Sequence, residues 1–130
     1  MTSDSTGQVG EVPAKRRGLS RILAATHHSL AGLRACARSE EAFRLELALA
    51  ALLLPLALFL GQSGVERALL VLALGLVLLA ELLNSAVEAV VDRVGLEYDD
   101  LSKKAKDIAS AAVFVSLVLC PSIWALVLVG

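Results

Sequence analysis

Ile108-Ala-Ser-Ala-Ala-Val-Phe-Val-Ser-Leu-Val-Leu-Cys-Pro-Ser-Ile-Trp-Ala-Leu-Val-Leu-Val-Gly130 is a run of 23 residues without a charged side chain. It exceeds the ~18 residues that suggest a membrane span, and it decides the class of the fold. The remainder agrees. Of 130 residues 57% are apolar, whereas a soluble domain averages about 45–50% even with glycine counted. A globule of this size cannot shelter so much apolar surface from water, so part of its solvent is lipid. The length allows one domain at most.

Two further apolar segments lie upstream. Ala68 to Val91 is long enough to span. Leu47 to Leu60 holds 14 unbroken apolar residues, and spans only if it begins near Ala42 and leaves Arg44 and Glu46 at the interface. Pro55 is tolerable there when neighbouring helices cover the freed carbonyl. Gly61-Gln62-Ser63-Gly64 reads as a tight turn, and the polar stretch from Asp92 to Leu101 as a linker, with Ser102 as N-cap of the last helix. The predicted spans are about 42–61, 65–92 and 102–129.

Ahead of them, Leu19 to Ser39 is patterned as an amphipathic helix. At about 100° per residue, Ile22, Leu23, Leu30, Leu33 and Ala37 fall within about 60° of Leu19, and Arg21 and His28 lie opposite. Such a helix lies on a membrane surface. Residues 1–18 read as a mobile leader ending in Lys15-Arg16-Arg17. It is not a signal peptide, because Arg21, His27 and His28 interrupt the segment that follows. The expected architecture is an all-α membrane protein, a surface helix plus three transmembrane helices, in a single membrane domain over 19–130.

Three spans put the leader and the Asp92–Leu101 linker on one side of the bilayer. Eleven of the twelve Lys and Arg residues belong to that side, and only Arg67 to the other. The positive-inside rule then places the N-terminus in the cytoplasm and the C-terminus outside.

The charge balance excludes other classes. A net charge of −1 with no basic block among aromatics is not a nucleic-acid binder. The nine glycines form neither GxGxxG nor GxxxxGK[ST]. Cys36 and Cys120 have neither metal-ligand nor disulfide-framework spacing and read as packing residues.

The second span carries polar residues that lipid disfavours. Glu81, Asn84, Ser85, Glu88 and Asp92 sit at about 0°, −60°, +40°, −20° and +20° on the helix, one narrow stripe. If the helix begins near Val65, Glu81 lies within about a turn of the cytoplasmic boundary, and Glu88 and Asp92 project beyond it. An ionised carboxylate costs ~2.5–3.5 kcal/mol at mid-membrane on insertion scales, which makes these residues functional candidates. Asn84 and Ser85 also suit plain interhelical hydrogen bonding. Two carboxylates in one stripe repel without a cation, however. Magnesium solves that problem, since it commonly takes one or two protein carboxylates together with nucleotide phosphates. Lys106 and Asp107, near the start of the third span, lie where a helix favours anions. Lys103 and Lys104 read as inside-positive anchors. Adjacent His27 and His28 point about 100° apart and make no metal site alone. The sum is phosphate chemistry at the inner membrane surface without a nucleotide fold.

On these residues a resemblance becomes specific. Glu81-Leu-Leu-Asn-Ser-Ala-Val-Glu-Ala-Val-Val-Asp-Arg-Val-Gly95, then Glu97-Tyr98, Lys104-Ala-Lys-Asp107 and Ser110-Ala-Ala-Val113, resembles the prokaryotic integral-membrane diacylglycerol kinases. Arg21, Gly32-Leu33-Arg34 and Glu41-Ala-Phe-Arg44 extend it, so it covers roughly Leu19 to Gly130.

The resemblance implies a homotrimer in the bacterial inner membrane, C-terminus periplasmic, with sites shared between subunits. It implies transfer of the γ-phosphate of MgATP to the hydroxyl of diacylglycerol, giving phosphatidic acid. By similarity Glu81 is the general base and Asn84 orders the site, while Glu40 and Glu88 hold Mg2+ on the ATP. Arg21, Glu97, Tyr98, Lys106 and Asp107 contact the nucleotide. His28 and Asp99 stand at nucleotide positions where relatives often carry Tyr and His. Arg34, Arg44 and Ser110, with Glu81, face the lipid substrate. The chain also departs from some relatives at Ala24, Leu30 and Ala31. Two alternatives stay open: an undecaprenol kinase of the same fold, because both acceptors present one hydroxyl at the interface, and a small cation- or proton-conducting oligomer. Against conduction, Val65 to Ala80 offers no titratable relay beyond Arg67.

Overall fold

The computed structural model describes residues 17–130, whose regular structure consists of four α-helices: α1 (Leu19–Ser39), α2 (Glu41–Leu60), α3 (Gly64–Val94) and α4 (Asp100–Val129). Nearly all of the expected leader lies outside the described residues. The chain divides into two units, Met1–Ala31 and Gly32–Gly130.

In the first unit, Gly18 turns the chain into α1 at φ +64°, a conformation that favours glycine. Its carbonyl accepts from the amides of Arg21 and Ile22 at 3.1 and 3.3 Å. The apolar stripe of this part of α1, Leu19, Ile22, Leu23 and Leu30, is exposed. That is the face a surface helix would bury in lipid.

In the second unit α3 is central, with α2 and α4 packed against it. Its buried side chains, Leu70, Ala73, Leu74, Val77 and Glu81, recur at helical spacing. Between helices in lipid no hydrophobic effect operates, and close approach of small residues takes its place. Ala57 on α2 and Ala73 on α3 are both fully buried. Trp124 of α4 is anchored by its indole Nε1, which donates to the Leu70 carbonyl of α3 at 3.2 Å. Most other large apolar side chains point outward, Phe59 and Phe114 among them, as a lipid-facing surface requires. α2, α3 and α4 are each long and apolar enough to cross a membrane.

The junctions are tightly built. A single extended residue, Glu40, joins α1 to α2. Its amide donates to the Cys36 carbonyl at 2.9 Å, and the Arg44 guanidinium donates to the carbonyls of Ala37 and Arg38 at 2.9 and 3.1 Å, capping the end of α1. At the α2–α3 turn, Ser63 Oγ accepts from the Glu66 amide and Glu66 Oε2 from the Gln62 amide, a reciprocal cap. Gly61 is required there, because a Cβ would stand 2.5 Å from Arg67 Cγ and 2.9 Å from the Arg67 amide nitrogen. At the start of α4 the structure corrects one expectation. The N-cap is Asp99, whose carboxylate accepts from the Ser102 amide at 3.0 Å, and Ser102 lies inside the first turn. Asp and Ser cap about equally well, and α4 begins at Asp100, so the residue ahead of that start, Asp99, takes the cap. Pro55 and Pro121 both lie within helices. Near Pro121, the Ser116 and Ser122 hydroxyls donate to Val113 and Val118 carbonyls.

α3 has 31 residues, about 46 Å at 1.5 Å per residue. A hydrocarbon core is ~30 Å thick, so a good part of α3 extends past it.

Candidate active site

The stripe on α3 is polar at one end of the bundle, where each of its members meets a different environment. Glu81 is buried, 7% exposed, against α2. Asn84, one turn on, is half-buried; its amide nitrogen lies 3.5 Å from Glu88 Oε1, and its Oδ1 is shut from solvent with no donor among the described residues. Ser85 Oγ accepts from the Cys36 thiol at 3.4 Å, which ties the last turns of α1 to α3. Glu40 follows Cys36 by one turn, so a carboxylate at the α1–α2 joint and the half-buried Glu88 stand on neighbouring elements. Asp92 accepts from the Lys106 ammonium at 2.7 Å, and Glu88 is close enough to Lys106 for charge attraction.

Past the stripe, a polar cavity of about 260 Å³ opens between the end of α3 and the start of α4. Asp92, Glu97, Tyr98, Asp99, Lys106 and Asp107 line it. Local chemistry positions them. Gly95 ends α3, the Tyr98 hydroxyl donates to Asp100 Oδ1 at 2.9 Å, and Asp99 caps α4. Lys103 pairs with Asp107 one turn away at 2.5 Å. A wall with carboxylates, ammonium groups and a phenol can take up a phosphorylated, metal-carrying ligand.

The structure therefore gathers Glu97, Tyr98, Asp99, Lys106 and Asp107 in one cavity, and Glu81, Asn84 and Glu88 on one helix face. Others stand apart. Arg21 and His28 belong to the first unit and are exposed there. Arg34 is exposed near the end of α1, and Ser110 is exposed on α4 one turn after Lys106. Arg44 is engaged with α1 carbonyls. Lys106, read as near the start of the third span, lies in the second turn of α4, which starts at Asp100. Among the described residues no three His, Cys, Asp or Glu side chains converge as a metal site. Magnesium held largely by nucleotide phosphates asks less of the protein, one or two carboxylates, and Glu40 and Glu88 can supply them.

One acidic residue was missed by the sequence reading. Glu46, assigned there to the interface, turns inward from α2 and its carboxyl meets that of Glu81. Its Oε2 is shut from solvent. It also borders an apolar cavity of about 140 Å³ among α2, α3 and α4, lined by Leu49, Leu53, Val77, Leu117 and Cys120. The available signal was a carboxylate one turn inside an otherwise apolar span.

Comparison with known proteins settles the family. Residues 27–128 match the prokaryotic diacylglycerol kinase family. The chain belongs to it. It is similar to the diacylglycerol kinase of Pseudomonas aeruginosa, 52% identical over 113 residues that cover 87% of this chain and 92% of the relative. It is 46% identical over 110 residues to that of Haemophilus influenzae, covering 85% and 93%. With that of Escherichia coli K12 it shares 42% identity over 111 residues, covering 85% and 91%. The diacylglycerol kinase match spans the stripe, the polar cavity and all three membrane-competent helices.

Proposed function

We propose that the chain is an ATP-dependent lipid kinase of the bacterial inner membrane that transfers the γ-phosphate of ATP to the hydroxyl of diacylglycerol, giving phosphatidic acid and ADP. Family membership supports the kinase class and the acceptor. The observation that carries the chemistry is the stripe from Glu81 to Asp92, which runs from a buried carboxylate straight into a polar cavity holding Lys106.

In this reading Glu81 takes the proton of the acceptor hydroxyl as the oxygen attacks the γ-phosphorus, and the bond to the β-phosphate oxygen breaks. Phosphoryl transfer needs mostly positioning and charge neutralisation. Lys106 meets phosphate oxygens, Glu97, Tyr98, Asp99 and Asp107 surround the nucleotide, and Asn84 holds Glu88 in place. Mg2+, when bound, neutralises phosphate charge, and Glu40 and Glu88 would hold it. Arg21 and His28 reach the nucleotide, and Arg34, Arg44 and Ser110 the lipid, in an assembled homotrimer whose sites are shared between subunits. The N-terminus is cytoplasmic and the C-terminus periplasmic, as the basic residues on one side favour.

The test is a direct assay. Purified protein with MgATP is given diacylglycerol and undecaprenol in the same mixed micelles, and the phosphorylated lipids are separated. Phosphatidic acid as the main product supports the proposal. Phosphate transfer chiefly to undecaprenol, or to neither lipid, overturns it.

A further inference from the structure

The Glu46–Glu81 contact is not explained by the roles assigned so far. Glu46 follows Phe43 by one turn on the face of α2 that meets α3, and Phe43 is fully buried. The Glu46 carboxyl faces that of Glu81 on the apolar seam of three helices; its Oε2 is shut from solvent and has no partner among the described residues, and Glu81 is buried as well. Ion pairs among the described residues are Lys103–Asp107 and Lys106–Asp92, and Arg44, two residues from Glu46, is spent on α1 carbonyls. No cation therefore faces the pair from α2, α3 or α4. Two carboxylates side by side without a cation repel strongly in a dry site, and the contact holds when one of them donates an O–H to the other.

We propose that Glu46 is a positioning residue for the phosphoryl transfer: its carboxylic acid donates a hydrogen bond to the Glu81 carboxylate and fixes one oxygen, leaving the other free for the acceptor hydroxyl. This rests on the reading of Glu81 as the base. Glu46 itself touches neither nucleotide nor the reacting oxygen. The geometry gives it leverage, because Glu81 is anchored by a backbone on α3 and reaches its partner on α2, so the donor limits rotation of a carboxyl that would otherwise sample several rotamers.

The donor requirement separates this role from a structural one and from a metal ligand. Glu46→Gln keeps a donor of the same reach, and Glu46→Ala removes it. Each variant of the full chain is assayed in mixed micelles for kcat, the KM of ATP and of diacylglycerol, the magnesium dependence and thermal stability. The expected result is that Glu46→Gln stays within about threefold of wild-type kcat, while Glu46→Ala loses about tenfold or more in kcat with both KM values within about twofold. Equal loss in the two variants overturns the proposal, as does a loss confined to KM or to thermal stability. A raised magnesium requirement in Glu46→Gln also overturns it, since an amide cannot replace a carboxylate ligand. Glu81→Gln, measured alongside, guards the premise. If it remains active the base assignment fails, whatever Glu46 does; if it is inactive and Glu46→Gln fails to rescue, the positioning role alone is wrong.

Discussion

The Lys106 ammonium lies 2.7 Å from the Asp92 carboxylate, so the end of α3 and the second turn of α4 are tied across the linker that bears Glu97, Tyr98 and Asp99. Both side chains are partly exposed, 42% and 47%. Exposed pairs of this kind contribute ~0–1 kcal/mol to stability. The pair matters more as a way of holding an ammonium at the mouth of the polar cavity.

Lys106→Met is expected to lower kcat/KM for ATP by about tenfold to a hundredfold, the loss of a charge-assisted hydrogen bond of ~1.5–3 kcal/mol. Lys104→Met removes the same charge about 200° round the helix, and it does not line the cavity. Its effect should be less than about threefold. Steady-state kinetics at varied ATP decide the matter, and equal small effects would reduce Lys106 to an inside-positive anchor.

Glu81→Gln keeps the size of the side chain and most of its hydrogen bonding. Loss of a general base predicts turnover lower by ~10²-fold or more, with the assembled protein unchanged on gel filtration in detergent. A variant with over half of wild-type turnover would show that the proton goes elsewhere.

Glu88→Gln and Glu40→Gln should each move the magnesium dependence of the reaction to higher concentration at saturating ATP. Glu41 is the control, exposed at the first position of α2. Magnesium titrations of all three variants check this, and greater damage from Glu41→Gln than from Glu40→Gln would reverse the choice of neighbour.

Gly61→Ala should destabilise the α2–α3 turn by ~1–3 kcal/mol, because the new methyl meets the Arg67 backbone as well as its side chain. Gly64→Ala meets nothing within 4 Å and should be near neutral. Thermal unfolding in micelles separates the two, and specific activity of the folded Gly61→Ala protein should be preserved.

The spans and the stripe were legible because both are periodic along a single helix, and membrane insertion penalises charge heavily enough to write the pattern in large letters. What escaped were relations between helices. Glu46 and Glu81 are far apart in the chain, and no helical periodicity links α2 to α3; Glu46 therefore looked like one more interfacial carboxylate. Arg44 was read beside the lipid, and nothing in the sequence showed that its guanidinium also donates to the Ala37 and Arg38 carbonyls, a cap that depends on the sharp joint at Glu40. The Asp99 cap was missed by a margin of three residues, since Ser102 is an equally good capping residue type. Glu97, Tyr98, Asp99, Lys106 and Asp107, which line the polar cavity, are close in sequence and were read as nucleotide contacts; that the ends of two helices bring them to one cavity was not read.

The Ser63 cap and Glu81 lie 18 residues apart on one continuous helix, a rise of about 27 Å. That helix is a ruler. One end carries a polar turn that resists immersion, and the other carries the carboxylate that, on the proposed reaction, meets a headgroup hydroxyl. The ~30 Å hydrocarbon thickness of an ordinary bilayer is nearly the length marked off. Bilayer thickness thus becomes a variable of the reaction. On the proposed reaction, a thicker membrane would sink Glu81 away from the aqueous nucleotide and a thinner one would lift it past the acceptor, at a mismatch cost of fractions of a kcal/mol per Å.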